Sequence, residues 1–195
     1  FPPPLTLPDL MPAGRRLVLR RQLNRMQDAL DEAEGIIFDR YTGLVREGQE
    51  RGGLDPWVFR LARSVLTRRM RLLLADPGST TGDLADLADE CSRWGVMPDS
   101  GEVREPAGRF LRRLTEDWVA HPDDQERLDR VVQALGILQG LPVPVRLWSL
   151  QNLFLLVRDG AAGPVREKAA QDDPGALAWQ EQFLALGRML RVRSG

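Results

Sequence analysis

The chain of 195 residues has one cysteine, one histidine and one lysine, and these scarcities exclude several kinds of site. The single cysteine, Cys91, rules out an internal disulfide, and so low a usage fits a reducing compartment. His121 and Cys91 together supply too few ligands for an ordinary zinc site. We therefore expect no metal and no cofactor, and we predict a cytoplasmic protein.

Long apolar runs and an excess of charge of one sign are also missing. No apolar run approaches the ~18–20 residues that a membrane-spanning helix needs, so no membrane partner is expected. The formal net charge is −1, which leaves no basic excess for binding nucleic acid. Hydrophobic residues make up 43% of the chain and charged residues 28%, proportions typical of a globular protein.

No catalytic motif is recognisable in the sequence. The nucleophile elbow, the phosphate-binding loop, the His-Glu-x-x-His zinc motif and paired Cys-x-x-Cys motifs are absent. His121 stands before a proline at a predicted helix end, where a loop or capping role is expected, and Cys91 falls on an apolar helix face, which predicts a core thiol. The carboxylates lie on helix surfaces or at helix starts, among arginines, instead of forming an acid pair across a cleft. This chain is predicted to be non-catalytic.

The N-terminal stretch Phe1–Pro12 contains five prolines in twelve residues and no initiator methionine. The prolines predict an extended lead-in or linker over 1–12, followed by a single helical domain over 13–195. The missing methionine predicts a processed product or a piece of a longer protein.

Helical periodicity covers the rest of the chain, without a convincing strand. A long first helix is predicted over 13–51, because apolar residues recur every three or four positions, as a helix packed along one side requires. These residues are Leu23, Met26, Leu30, Ala33, Ile37, Tyr41 and Leu44. Further helices are predicted over 56–75, from Thr80 or Thr81 to Trp94, over about 106–120, and from Asp123 or Asp124 to Gly140. The last three are predicted over about 146–158, 164–171 and 174–192. The predicted fold class is all-α, a multi-helix bundle of about six to eight helices with a long first helix and no sheet.

The stretch Leu141–Val157, LPVPVRLWSLQNLFLLV, is the most apolar run in the chain. Its prolines predict an extended segment ahead of a helix that is apolar almost all round, and such a helix is expected to be central and buried. Trp148, Gln151 and Asn152 fall on one face of that helix.

An indole beside two amides fits a sugar, which can stack on the ring and bind the amides through its hydroxyls. The alternative is that both amides satisfy backbone groups freed by the prolines. The other tryptophans lie on or near apolar stripes and are expected in the core: Trp57, Trp94, Trp118 and Trp179.

Four blocks, in this order, resemble the helical C-terminal domain of bacterial amylase- or mannosidase-like proteins related to glycoside hydrolase family 57. They are LPDLMPAGRRLVL at Leu7–Leu19, ARSVLTRRMRLLL at Ala62–Leu74, SRWGV at Ser92–Val96 and LPVPVRLWSLQNLFLL at Leu141–Leu156. The Leu-Trp-x-x-Gln-Asn core of the last block is the most distinctive part, and the resemblance ends near Val157.

The resemblance implies that the catalytic nucleophile and general acid lie upstream, in a barrel of the same polypeptide. This chain would then be a non-catalytic accessory domain of a glycoside hydrolase or glucanotransferase, with the barrel as partner and an α-glucan as a further one. Trp148, Gln151 and Asn152 are the candidates for a cleft or interdomain surface. The alternative is a helical protein-interaction or scaffold domain unrelated to carbohydrate.

Overall fold

The computed structural model describes residues 12–52, 55–141, 143–160, 162–171 and 173–192. These residues contain eight helices and no strand, so the predicted all-α bundle with a long first helix and no sheet is confirmed for the described residues. The predicted lead-in lies outside the described residues, except for Pro12, which is the first residue of the first helix.

The eight helices are α1 (Pro12–Gly52), α2 (Pro56–Ala75), α3 (Thr81–Trp94), α4 (Ser100–Ala120), α5 (Gln125–Gly140), α6 (Trp148–Asp159), α7 (Ala162–Ala169) and α8 (Pro174–Met189). The chain divides into two compact units, 1–61 and 62–195, which are described separately. A single domain over 13–195 therefore stays a prediction.

Local capping groups set several helix ends where the sequence places them. The hydroxyl of Thr80 accepts from the backbone N–H of Asp83, and the Asp83 carboxylate accepts from the backbone N–H of Thr80, which forms a capping box at the start of α3. Gly95 ends that helix with φ of 61°, the left-handed conformation that glycine adopts most readily. The carboxylates of Asp124 and Asp173 cap α5 and α8 by accepting from the backbone N–H groups of Arg127 and Ala176.

The start of α4 corrects the sequence prediction, because the helix begins at Ser100 and contains Pro106. Asp99 is the N-cap, with its carboxylate accepting from the backbone N–H of Gly101 at 2.8 Å. The backbone N–H of Asp99 donates in turn to the hydroxyl of Thr67, 2.9 Å away on α2. This contact between residues distant in the sequence holds the N-cap at Asp99, ahead of Pro106. Pro106 has no backbone N–H to donate within the helix, and burial of its ring offsets that lost hydrogen bond.

In the first unit, α1 exposes an apolar face that the sequence predicted to be packed. This α1 apolar face consists of five side chains that share one side of the helix and are 36% to 69% exposed: Leu19, Leu23, Met26, Leu30 and Ile37. Among the described side chains of α1, Phe38 alone is buried. The prediction of packing is wrong for this face, because periodicity reports that a face is apolar and not what covers it. Tyr41 and Leu44 lie outside the described side chains.

In the second unit, α5 is the central helix and contacts α3, α4 and α8. The helix α6 contacts α4 and α7, and Phe154 brings it against α8 as well. The expectation that this helix would be buried all round is wrong, since only Leu150, Phe154 and Val157 are buried. Leu156 of the same helix is 62% exposed. The helix is apolar almost all round, yet only one stripe of it meets the core.

Aromatic rings fill the centre of this second unit. The ring of Phe183 stacks on Phe154, with centroids 4.4 Å apart, and on Trp179, with centroids 4.8 Å apart. Trp118 lies against Phe183 at a tilt, and the indole N–H of Trp179 donates to the carbonyl of Pro122. Burial confirms the predicted core position of Trp94, Trp118 and Trp179, whereas Trp57 is 54% exposed and its prediction is wrong.

Candidate functional site

The candidate site begins where the chain enters α6. Residues 143–147 are not helical, as the two prolines predict, and the helix begins at Trp148 instead of Arg146. Leu147 is the N-cap residue and provides no side-chain hydrogen bond to the helix. The N-cap side chain therefore satisfies none of the first backbone N–H groups of α6.

Trp148 is the most exposed large apolar side chain of the described residues, at 73%. A large indole usually buries most of its surface in a globular protein, and its ring face stacks readily on apolar or sugar surfaces. The exposure excludes a core role for Trp148 within the described part of this chain.

The two amides of the predicted triplet have different environments. The Nε2 of Gln151 donates to the backbone carbonyl of Leu190 at 2.8 Å, and the side chain is half-buried. The alternative expectation was that both amides satisfy backbone groups freed by the prolines. Gln151 does bind a backbone carbonyl, but that carbonyl belongs to the end of α8 and not to the proline segment. Asn152 is exposed, and its side-chain amide makes no hydrogen bond to any other described residue.

Trp148, Asn152 and Leu156 follow one another at four-residue spacing and form the α6 outer face. The face offers an indole and an isobutyl group, 73% and 62% exposed, with one amide between them. It contains no acid, base or nucleophile, so its chemistry is limited to stacking, apolar contact and hydrogen bonding. Gln151 anchors the helix that carries this face.

The other residues with reactive side chains lie in structural positions. Cys91 is buried, and burial raises the pKa of its thiol to about 11, which keeps it protonated and unreactive at neutral pH. His121 is the exposed C-cap residue of α4, and its backbone N–H donates to the carbonyl of Trp118. Within the described ranges no cluster of histidine, cysteine and carboxylate side chains could hold a metal ion.

A cleft beside α4 is a feature that sequence reasoning missed. This arginine cleft has a volume of about 400 Å³ and is lined by Gly101, Arg104, Glu105, Gly108, Arg109, Arg112, Arg146 and Ser149. The sequence of α4 does contain a pattern that indicates one wall of the cleft. The six residues of α4 that line it recur at the three- and four-residue spacing of one helix face. The position of Arg146 opposite them is a result of tertiary packing.

Comparison of the chain with protein-family models, with curated proteins and with solved structures finds no match in any of the three. None of the described helices is long and apolar enough to cross a membrane. The resemblance to proteins related to glycoside hydrolase family 57 therefore stays a prediction from four sequence blocks.

Proposed function

We propose that this chain is a non-catalytic accessory domain of an enzyme related to glycoside hydrolase family 57. In this proposal the domain packs against a catalytic barrel of the same polypeptide and forms part of the wall of an α-glucan cleft. The barrel carries the nucleophile and the general acid of a glycoside hydrolase or glucanotransferase. The observation that supports the glucan contact best is the exposure of Trp148, at 73%, beside the free amide of Asn152.

The α6 outer face has the chemistry that a glucan needs. A pyranose ring presents C–H groups on one face, which pack on an indole, and hydroxyls at its edge, which bind an amide. Full burial of a large apolar side chain contributes about 1.5–3 kcal/mol, and a sugar stacked on one face of the indole gains part of this. Asn152 can both donate to and accept from sugar hydroxyls, because no other described residue uses its amide.

The α1 apolar face supports the proposed packing against a larger partner. Leu23 and Met26 are 63% and 69% exposed, and they continue with Leu19, Leu30 and Ile37 along one side of the helix. A contiguous apolar patch on a protein surface is typical of an interaction site. The barrel of the same polypeptide is the partner that the resemblance implies.

A helical interaction or scaffold domain without a carbohydrate ligand is the second candidate function. The α1 apolar face favours it, since those five side chains have no polar group that could recognise a sugar. In this case the α6 outer face would be a second protein contact, through Trp148 and Leu156.

Glucan binding by the intact chain distinguishes the two functions. Titration calorimetry with maltoheptaose is compared for the native chain, Trp148→Ala and Trp57→Ala, a matched control because Trp57 is also exposed, at 54%. We expect weak binding that Trp148→Ala abolishes and Trp57→Ala retains, and no release of reducing sugar from amylose. Absence of binding, or equal binding by both variants, would favour the scaffold function, and hydrolysis by the chain itself would contradict both.

A further inference from the structure

The arginine cleft is large enough for a small molecule and lies entirely within the second unit. Its volume of about 400 Å³ falls within the range of about 300–1,000 Å³ that is usual for ligand pockets. One wall is a face of α4, and the other is formed by Arg146 and Ser149, at the point where the chain enters α6.

The charges of this cleft are unbalanced. Its lining contains four arginines and one carboxylate, that of Glu105, which pairs with Arg109 at 3.0 Å. The guanidinium groups of the other three arginines make no hydrogen bond or ion pair with any other described residue: Arg104, Arg112 and Arg146. In a chain with a net charge of −1, three unpaired guanidinium groups around one cleft create a local positive potential.

Gly108 makes room between two of these arginines. Residues 104, 108 and 112 follow one another at four-residue spacing, so Gly108 lies between Arg104 and Arg112 on the same line of α4. Apart from the nearby backbone of α4 itself, a Cβ atom at Gly108 would meet no atom within 4 Å, so packing against other elements does not require glycine there. Glycine within a helix lowers stability by about 1 kcal/mol relative to alanine. At position 108 it leaves space between the side chains of Arg104 and Arg112.

The start of α6 adds hydrogen-bond donors to the same cleft. Ser149 lies in the first turn of that helix, and the N-cap residue Leu147 provides no side-chain acceptor for the first N–H groups. The N-terminus of a helix carries partial positive charge and favours anions. The arginine side chains and this helix end therefore favour the same class of ligand.

We propose that the arginine cleft binds the phosphate group of a phosphorylated small molecule. Guanidinium groups hold phosphate oxygens through paired, charge-assisted hydrogen bonds, and a phosphate offers three such oxygens to Arg104, Arg112 and Arg146. The cleft exceeds the size of a phosphate ion, so its remaining volume accommodates the esterified group. This site is additional to the proposed accessory function and does not depend on it.

Titration of the intact chain with inorganic phosphate, glucose 6-phosphate and glucose tests this assignment. Calorimetry at low salt measures affinity, and the fluorescence of Trp148, next in sequence to the lining residue Ser149, provides a second signal. We expect saturable binding of both phosphates, tighter for the ester, none for glucose, and weaker binding as sodium chloride is raised.

Substitutions locate the binding within the cleft. Arg112→Gln and Arg146→Gln are expected to raise the dissociation constant of glucose 6-phosphate at least about tenfold. Arg188→Gln is the matched control, because Arg188 is exposed on α8, makes no ion pair with any described residue and lies outside the cleft. Gly108→Glu should abolish binding by placing a carboxylate between the arginines, whereas Gly108→Ala should retain it, and neither should lower the melting temperature.

The proposal is overturned if neither phosphate binds up to about 10 mM at low salt. It is equally overturned if Arg112→Gln and Arg188→Gln weaken binding alike, or if Gly108→Glu binds as well as Gly108→Ala. Binding of inorganic phosphate and the ester with equal affinity would support a site for the free anion and contradict the assignment to a phosphorylated molecule.

Discussion

Gln151 connects two helices that are distant in the sequence, because its Nε2 donates to the carbonyl of Leu190 at 2.8 Å. Gln139 of α5 makes a similar bond to the carbonyl of the preceding residue, Met189, at 3.2 Å. The last turn of α8 is thus held by glutamines from α5 and α6. Carbonyls at a helix end have no partner within the helix, so side chains from neighbouring helices satisfy them.

Gln151→Ala should destabilise the fold by about 1–3 kcal/mol, because it leaves the carbonyl of the buried residue Leu190 without its partner. Chemical denaturation in urea measures the loss. Asn152→Ala is the matched control and should change stability by less than about 0.5 kcal/mol, since its amide is exposed. Equal losses for the two variants would contradict the structural role of Gln151.

Phe183→Ala should destabilise the second unit by about 3–5 kcal/mol, because the ring is fully buried and stacks on both Phe154 and Trp179. Near-ultraviolet circular dichroism should lose intensity from the tryptophans that surround the ring. Leu184→Ala, at the next position and 38% exposed, should cost much less. A loss at Leu184 as large as that at Phe183 would show that the aromatic cluster is not the centre of the core.

The capping box of α3 should make stability depend on pH in the acid range. The pKa of Asp83 lies below its ordinary value of 3.8, chiefly because its carboxylate accepts the backbone N–H of Thr80. Since the folded-state pKa is lowered, the contribution of Asp83 is present above its unfolded pKa and is lost as pH falls through the folded value.

Thermal unfolding between pH 7 and pH 2 checks this dependence. The melting temperature of Asp83→Asn should lie below that of the native chain at pH 7, and the difference should disappear at the lowest pH. Asp86→Asn, on the exposed side of the same helix, should show no such change. A difference for Asp83→Asn that persists to pH 2 would show that the stabilisation does not come from the charged carboxylate.

Polar substitution of the α1 apolar face should leave the fold of this chain unchanged. The combined variant Leu23→Gln, Met26→Gln and Leu30→Gln replaces side chains that are 54% to 69% exposed, so we expect a loss of less than about 0.5 kcal/mol per site. Circular dichroism and thermal unfolding measure this, and under the proposed accessory function the same variant should bind its catalytic barrel more weakly. A large loss of stability would show that other parts of this chain cover the face.

Features that depend on neighbours in the sequence were predictable from the sequence alone. The all-α fold follows from apolar residues at helical spacing, and the ends of α3 follow from the capping hydroxyl of Thr80 and the left-handed glycine, Gly95. The core positions of Cys91 and Trp118 were predictable too, because each lies on a single apolar stripe. In each case the residues that decide the feature lie close to one another in the sequence.

Features that depend on contacts between distant residues were decided by tertiary structure. Thr67 of α2 holds the cap of α4 at Asp99, which moves the start of that helix ahead of Pro106. Tertiary contacts also gave the residues of the predicted triplet, Trp148, Gln151 and Asn152, different environments. The carbonyl of Leu190 accepts from the amide of Gln151, whereas Trp148 stays exposed. An apolar pattern states which side chains favour burial, but the surfaces that cover them come from other helices.

The arginine cleft shows both contributions in one feature. The sequence by itself determined a line of glycine and arginine along α4, because helical geometry places residues four apart on one side. Only the packing of α6 against α4 brought Arg146 and Ser149 to the opposite wall. The sequence thus determined the helices and their faces, and tertiary structure decided which faces were covered and which remained open, because burial requires a surface from elsewhere in the chain.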